Sequence, residues 1–172
     1  MAIEPDTKDW TWVLRRRCDE CGAEVAALAP PDVARLVRDA VRRWQAVLAR
    51  PGAGERPDAS TWSPLEYAAH VRDVCRVFRE RLALMLEQDG PTFPDWDQDA
   101  AAVADRYGEQ TPTAVAAGLV EAGSAVADAF EAVPEGDWER PGLRSNGSAF
   151  TVRTLGQYFA HDVLHHLHDV RG

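Results

Sequence analysis

The chain has 172 residues, a formal net charge of -9 and a pI near 5.0, with 45% hydrophobic and 27% charged residues. At about 100–200 residues per domain, that length holds one domain with one substantial core. The acidic balance argues against nucleic-acid binding, which favours a basic surface, and no run approaches the roughly 18 apolar residues of a membrane span.

The first residues, Met1-Ala2-Ile3-Glu4-Pro5-Asp6, are acidic and lack the charged-then-apolar order of a secretion signal, so a cytoplasmic location is expected. Three cysteines, an odd number, do not make a disulfide framework. Lys8 is the single lysine among nineteen basic residues, a bias that points to a GC-rich genome.

Residues 1–30 read as an arm carrying Trp10, Trp12 and the turn Cys18-Asp19-Glu20-Cys21-Gly22. The bundle is expected over 31–172. Its first helix runs from about Pro31, a residue suited to a first turn, to Arg50. Val33, Leu36, Val37, Ala40, Val41, Trp44, Val47 and Leu48 recur there at three- and four-residue spacing, forming one apolar stripe. Pro51-Gly52-Ala53-Gly54 ends it. The second helix begins at Ser63-Pro64-Leu65-Glu66, where serine is an N-cap and Glu66 completes a capping box. It runs to about Gln88, with Leu65, Val71, Val74, Cys75, Phe78, Leu82 and Leu86 on its core face.

A variable region with Phe93, Trp96 and a short helix around Asp97 to Tyr107 follows. An alanine-rich third long helix starts after Thr111-Pro112 and ends near Val133. The loop from Pro134 to Phe150 contains Trp138, Pro141-Gly142 and Asn146-Gly147, and the last helix spans about Thr151 to Val170. No repeat is visible and no run alternates as a strand should, so the fold class is all-α, a four-helix bundle.

Four of the five histidines lie in His161-Asp162-Val163-Leu164-His165-His166-Leu167-His168. His161 and His165 are four apart, so both rings leave the same helix face and can share one metal ion. His168 extends that stripe, while His166 points about 100° away and is a poorer ligand. His70 sits among apolar neighbours in the second helix and needs a polar partner if buried. In a bundle it can face the last helix, which is how bundle cores commonly assemble metal sites. A solvated helix face for the cluster, and a hydrogen-bonded core histidine for His70, are the plainer readings.

Three ordered features resemble the DinB-like family, which includes the N-terminal domain of mycothiol-dependent maleylpyruvate isomerase. They are Trp62-Ser63 leading to Glu66 and His70, the loop Trp138-Glu139-Arg140-Pro141-Gly142 with Gly147 and Phe150-Thr151-Val152, and the segment Leu155 to His168. The match spans about 31–172 and leaves the arm outside. The resemblance implies an up-down-down-up bundle with one metal, whose ligands fall on His70, His161 and His165. Of the divalent metals, zinc suits an imidazole set, and nickel or iron would also fit.

Cys18-x-x-Cys21 has three readings: a plain turn, a reactive thiol pair, or part of a second metal site with His166 or His168. Arg15-Arg16-Arg17 either favours a thiolate or is a solvated basic patch. Cys75 reads as core. Three histidines leave an open coordination position, as catalytic zinc sites do. Glu66, Asp73 and Asp162 are either ring-orienting carboxylates or surface ones.

The resemblance implies that a metal-activated low-molecular-weight thiol such as mycothiol attacks an electrophilic substrate, making the protein a thiol S-transferase or thiol-dependent isomerase. Arg140, Arg144 and Arg153 either contact a substrate carboxylate or are ordinary surface arginines. A non-catalytic metal-binding stress-response homodimer is the alternative of a different class. Hydrolysis by a metal-activated water is the third reading, although no general base stands out.

Overall fold

The computed structural model describes Ile3 and residues 8–172; residues 1, 2 and 4–7, with most of the acidic start read above, lie outside the described residues. Five helices are α1 Asp32–Leu48, α2 Pro64–Glu87, a short α3 Gln98–Ala104, α4 Pro112–Glu131 and α5 Val152–Asp169. Their starts follow local chemistry. The Ser63 hydroxyl accepts from the Glu66 amide and the Glu66 carboxylate accepts from the Ser63 amide, closing both halves of the capping box of α2. Arg56, in the loop before α2, also donates to Glu66. Thr111 caps α4 with Pro112 in its first turn, and Thr151 caps α5 with Thr154 as its reciprocal partner.

Side-chain neighbours set the helix directions. Val33 lies beside Gly156 and Val47 beside Gly172, so α1 and α5 run parallel. His70 faces Asp162 while Phe78 stacks on Phe159, so α2 runs antiparallel to α5. Val41 packs on Gly123 and Arg38 pairs with Asp128 and Glu131, so α4 opposes α1. The four long helices are therefore an up-down-down-up bundle, with the residues 88–111 excursion returning the chain so that α4 runs parallel to α2. α4 and α5 each pack against both α1 and α2. Trp44, Leu82, Met85, Leu119, Phe130, Leu155 and Phe159 fill the core at 0–1% exposure. Burial of one such side chain stabilises by about 1.5–3 kcal/mol. Cys75 is buried as its position in the stripe predicts, whereas Met85, not Leu86, holds the last core turn of α2. The expectation that no run approaches a membrane span is corrected: α4 is long and apolar enough to cross one, but Val115, Leu119, Val126 and Phe130 bury its apolar face in the bundle.

The expectation that no strand forms is corrected. β1 Thr92–Phe93, β2 Pro141–Arg144 and β3 Ala149–Thr151 make a small sheet in that order, parallel between β1 and β2 and antiparallel between β2 and β3. Runs of two to four residues are too short to show a period of two. The hairpin turns at Asn146-Gly147, a pair with a known turn preference, with Gly147 at φ 97°. Arg140 donates to the Met85 and Gln88 carbonyls, tying this hairpin to the end of α2.

Arm residues 8–30 form two single 3-10 turns, Thr11–Leu14 and Val25–Ala27, laid against α5. Val13, Cys18 and Val25 make a small apolar cluster with Ala160 of α5, and Leu36 of α1 packs at its edge instead of in the main core. The excursion before α4 is held by Tyr107, which donates to Asp73 at 2.6 Å, and by Arg72, which pairs with Asp105 at 2.6 Å.

A Cβ at Gly123 would overlap Val41 Cγ2, so the α1–α4 contact needs glycine there. Gly123→Ala should lower stability by about 1–3 kcal/mol despite its better helix propensity. A urea midpoint that rises instead would show that the two helices separate freely. Burial would raise the Glu66 carboxyl pKa, but Arg56 and the Ser63 cap outweigh it and lower the value. That contribution is present above the unfolded pKa of about 4.3 and is lost as pH falls through the lower folded value. Glu66→Gln should therefore flatten the acid limb of the stability curve, measured by urea unfolding at several pH values.

Candidate metal centre

α5 carries two ligand pairs at four-residue spacing, offset by one position: His161 with His165, and Asp162 with His166. Adjacent positions on a helix differ by about 100°, so the two pairs occupy neighbouring faces. One faces the arm and the other faces α2.

On the arm side, Cys18, Cys21, His161 and His165 bring one ligand atom each within 4.8 Å of all the others. Cys18 Sγ lies 3.8 Å from His165 Nδ1. The opposite ring nitrogen, His165 Nε2, faces Glu20 at 3.6 Å and Asp169 at 3.9 Å. Gly22 supplies the φ of 76° that closes the cysteine turn, in which the Cys18 amide donates to the Ala23 carbonyl at 2.8 Å and the Gly22 amide to the Cys18 carbonyl at 3.0 Å. The neighbouring arginines serve this turn: Arg17 donates to the Gly22 carbonyl, and Arg16 pairs with Asp19 while covering Trp12. Burial pushes the Cys21 thiol up to about 11, the opposite of an activated nucleophile.

On the α2 side, His70, Asp162 and His166 likewise gather within 4.8 Å. Asp162 Oδ1 stands 3.7 Å from both His70 Nε2 and His166 Nε2. Asp169 accepts from His166 Nδ1 at 2.9 Å, which directs Nε2 inward. His70 is held between Trp62 and Trp96, the latter stacked on it at 5.5 Å between centroids. Burial lowers the His70 pKa, keeping its ring neutral and its lone pair available. Burial opposes ionisation of Asp162, but the His70 ring 3.7 Å away and the neighbouring His166 and His161 rings outweigh it and bring its pKa down to about 2.

Among the described residues, five buried side-chain nitrogen or oxygen atoms have no hydrogen-bond partner, and four of them are His70 Nδ1 and Nε2, His161 Nε2 and Asp162 Oδ1. Buried polar atoms are nearly always satisfied, so this concentration fits donors awaiting a cation.

The three histidines expected to share an ion are divided: His161 and His165 gather with the cysteines, and His70 gathers with Asp162 and His166. His166, ranked a poorer ligand from the sequence, joins His70 because it is α5's adjacent face that meets α2. His168 is exposed and joins neither cluster. The cysteine turn meets His161 and His165, not His166 or His168. Asp162 gathers with His70 and His166. Glu66 is committed to its cap and Asp73 to Arg72, Arg76 and Tyr107.

A cavity of about 760 Å3 opens beside both clusters. Trp10, Trp62, Trp96, Tyr67 and Tyr158 supply aromatic walls, and Glu20, Asp162, His166 and Asp169 face it. Of the three arginines proposed as substrate contacts, Arg144 lines this cavity. Arg140 is spent on the α2 carbonyls and Arg153 pairs with Glu139.

The fold and these donor sets define a helical bundle of the metal-binding kind. A model of the DinB superfamily matches residues 49–170, and the chain belongs to that superfamily. YfiT from Bacillus subtilis, described as a probable metal-dependent hydrolase with an unusual four-helix bundle topology, superposes with a TM-score of 0.71 at 17% identity, over 81% of this chain and 82% of its own. No curated protein matches the chain.

Asp169→Asn should weaken divalent-metal affinity by about 10–100-fold, the usual cost of losing a ring-orienting carboxylate. Competition against a chromophoric chelator measures this, and an unchanged Kd would mean that Asp169 does not orient His166.

Proposed function

We propose that the protein is a metal-dependent enzyme that transfers a low-molecular-weight thiol to an electrophile, with its working ion held by His70, Asp162 and His166. The observation that carries this reading is that His70, Asp162 and His166 gather one ligand atom each within 4.8 Å, with Asp162 and His166 on the wall of an aromatic cavity and His70 buried behind them. Three protein donors leave coordination positions open, and zinc, nickel or iron suits this donor set. Such an ion, when bound, lowers the pKa of a coordinated thiol or water and polarises a carbonyl.

The remaining work falls to the chain. Asp169 holds the His166 ring and Trp96 holds His70. Trp10, Trp62 and Trp96 offer flat faces, while Glu20 and Asp169 offer hydrogen-bond acceptors. That lining suits a neutral polyhydroxylated thiol of the mycothiol type better than an anionic one. Arg144 lines the cavity while bonded to Asn146 and Ser148 and facing Asp95 at 3.6 Å, so a carboxylate on the electrophile would share its guanidinium with them. A reducing, cytoplasmic setting agrees with free thiols at Cys18, Cys21 and Cys75.

Hydrolysis is the second reading. It is favoured by Glu20 and Asp169, carboxylates on the cavity wall that supply the general base missing from the sequence reading. The description of YfiT points the same way.

Purified metal-loaded protein should conjugate mycothiol to a bimane electrophile, and Asp162→Ala should reduce the rate to background while the far-ultraviolet spectrum stays helical. A rate unchanged by Asp162→Ala would sink the proposal. Thiol-independent ester cleavage lost in the same variant would replace transfer by hydrolysis.

A further inference from the structure

We infer that Cys18, Cys21, His161 and His165 form a second, closed zinc centre that clamps the N-terminal arm onto α5. Their ligand atoms lie within 4.8 Å of one another although the cysteines and histidines come from opposite ends of the chain. Two thiolates and two imidazoles complete a tetrahedral zinc ion, and the order Cys-x-x-Cys then His-x-x-x-His is a spacing that structural zinc sites use. Four protein donors leave no position for water or substrate. Cys18, His161 and His165 are buried, at 1%, 4% and 8% exposure, and His161 Nε2 has no partner without an ion. Neither cysteine lines the cavity.

The donor set also settles the charge. As zinc binds, each thiol gives its proton to solvent and forms a zinc–sulfur bond, so two thiolates cancel the dication beside the apolar cluster of Val13, Val25 and Ala160. Glu20 and Asp169 face the His165 nitrogen turned away from Cys18, the arrangement that fixes a ligand ring.

The clamp would add to a light anchorage. Residues 8–30 are held by two 3-10 turns, a small apolar cluster, Leu14 and Leu28 against the main core, and the Gln157 side chain, which donates to the Ala26 and Leu28 carbonyls. Once fixed, the arm seats Trp10 against His161 and His165, at 5.5 and 4.9 Å between centroids, and makes it a wall of the cavity. The clamp therefore shapes the pocket without sharing a ligand with the His70, Asp162 and His166 set.

The test uses the full chain under reducing conditions, with metal counted by mass spectrometry and cobalt substituted for zinc. The cobalt form should show thiolate-to-cobalt charge transfer in the near ultraviolet with intense tetrahedral bands. Cys18→Ser with Cys21→Ser should abolish the charge transfer and remove one ion per chain. It should also speed tryptic cleavage at Arg15–Arg17 while helix content is kept. Cys75→Ser should leave the charge transfer intact. A wild-type cobalt form without charge transfer, or a double variant with an unchanged ion count, would overturn the inference. The two sites fail separately: charge transfer that survives Asp162→Ala with no ion lost leaves the clamp standing and removes the proposed working site.

Discussion

Everything at the functional end of this molecule depends on the angular step of one helix. α5 presents His161 and His165 on one face and Asp162 and His166 on the next, because successive residues are about 100° apart. The bundle directs the second face at α2, where His70 waits, and leaves the first for the arm. A single turn-and-a-half of helix thus serves two donor sets without sharing a residue between them.

That arrangement carries an electrostatic cost that the surrounding structure answers in different ways. Asp162, His70 and His161 place polar atoms in the interior without hydrogen-bond partners, which a folded protein tolerates only where something else satisfies them. Elsewhere among the described residues, the Trp44 indole nitrogen alone of the buried side-chain polar atoms lacks a partner: Glu66 has Arg56 and Ser63, and Asp73 has Arg72, Arg76 and Tyr107. The contrast is what separates the donor clusters from ordinary buried polarity. Close helix packing at Gly123 and the Phe78, Phe159 and Phe130 stack then keep α2, α4 and α5 in place, so that these donors stay in register.

Most of the fold was legible in the chain. The stripe of α1, the Ser63–Glu66 capping box and Pro112 after Thr111 placed three helix starts within a residue or so, because those signals act locally. The small sheet was hidden because its strands hold two to four residues, too few for a period to emerge. Asn146-Gly147 was the available signal, since that pair marks a hairpin between short strands. At the site, the histidine spacing marked one face of α5 as rich in ligand-type residues, while the Cys-x-x-Cys turn was open to a plain turn, a reactive thiol pair or part of a metal site. Their match with each other, and the role of His166 and Asp162, were not visible.

The sequence by itself determined the four amphipathic helices, the capped start of α2 that carries His70, and the clustering of ligand-type residues on α5. These depend on contacts within a few residues, which spacing records directly. Tertiary structure alone decided which face of α5 meets α2 and which meets the arm. Rotation of a helix about its axis is set by packing against every neighbour at once, and a shift of one residue exchanges His161 and His165 for Asp162 and His166.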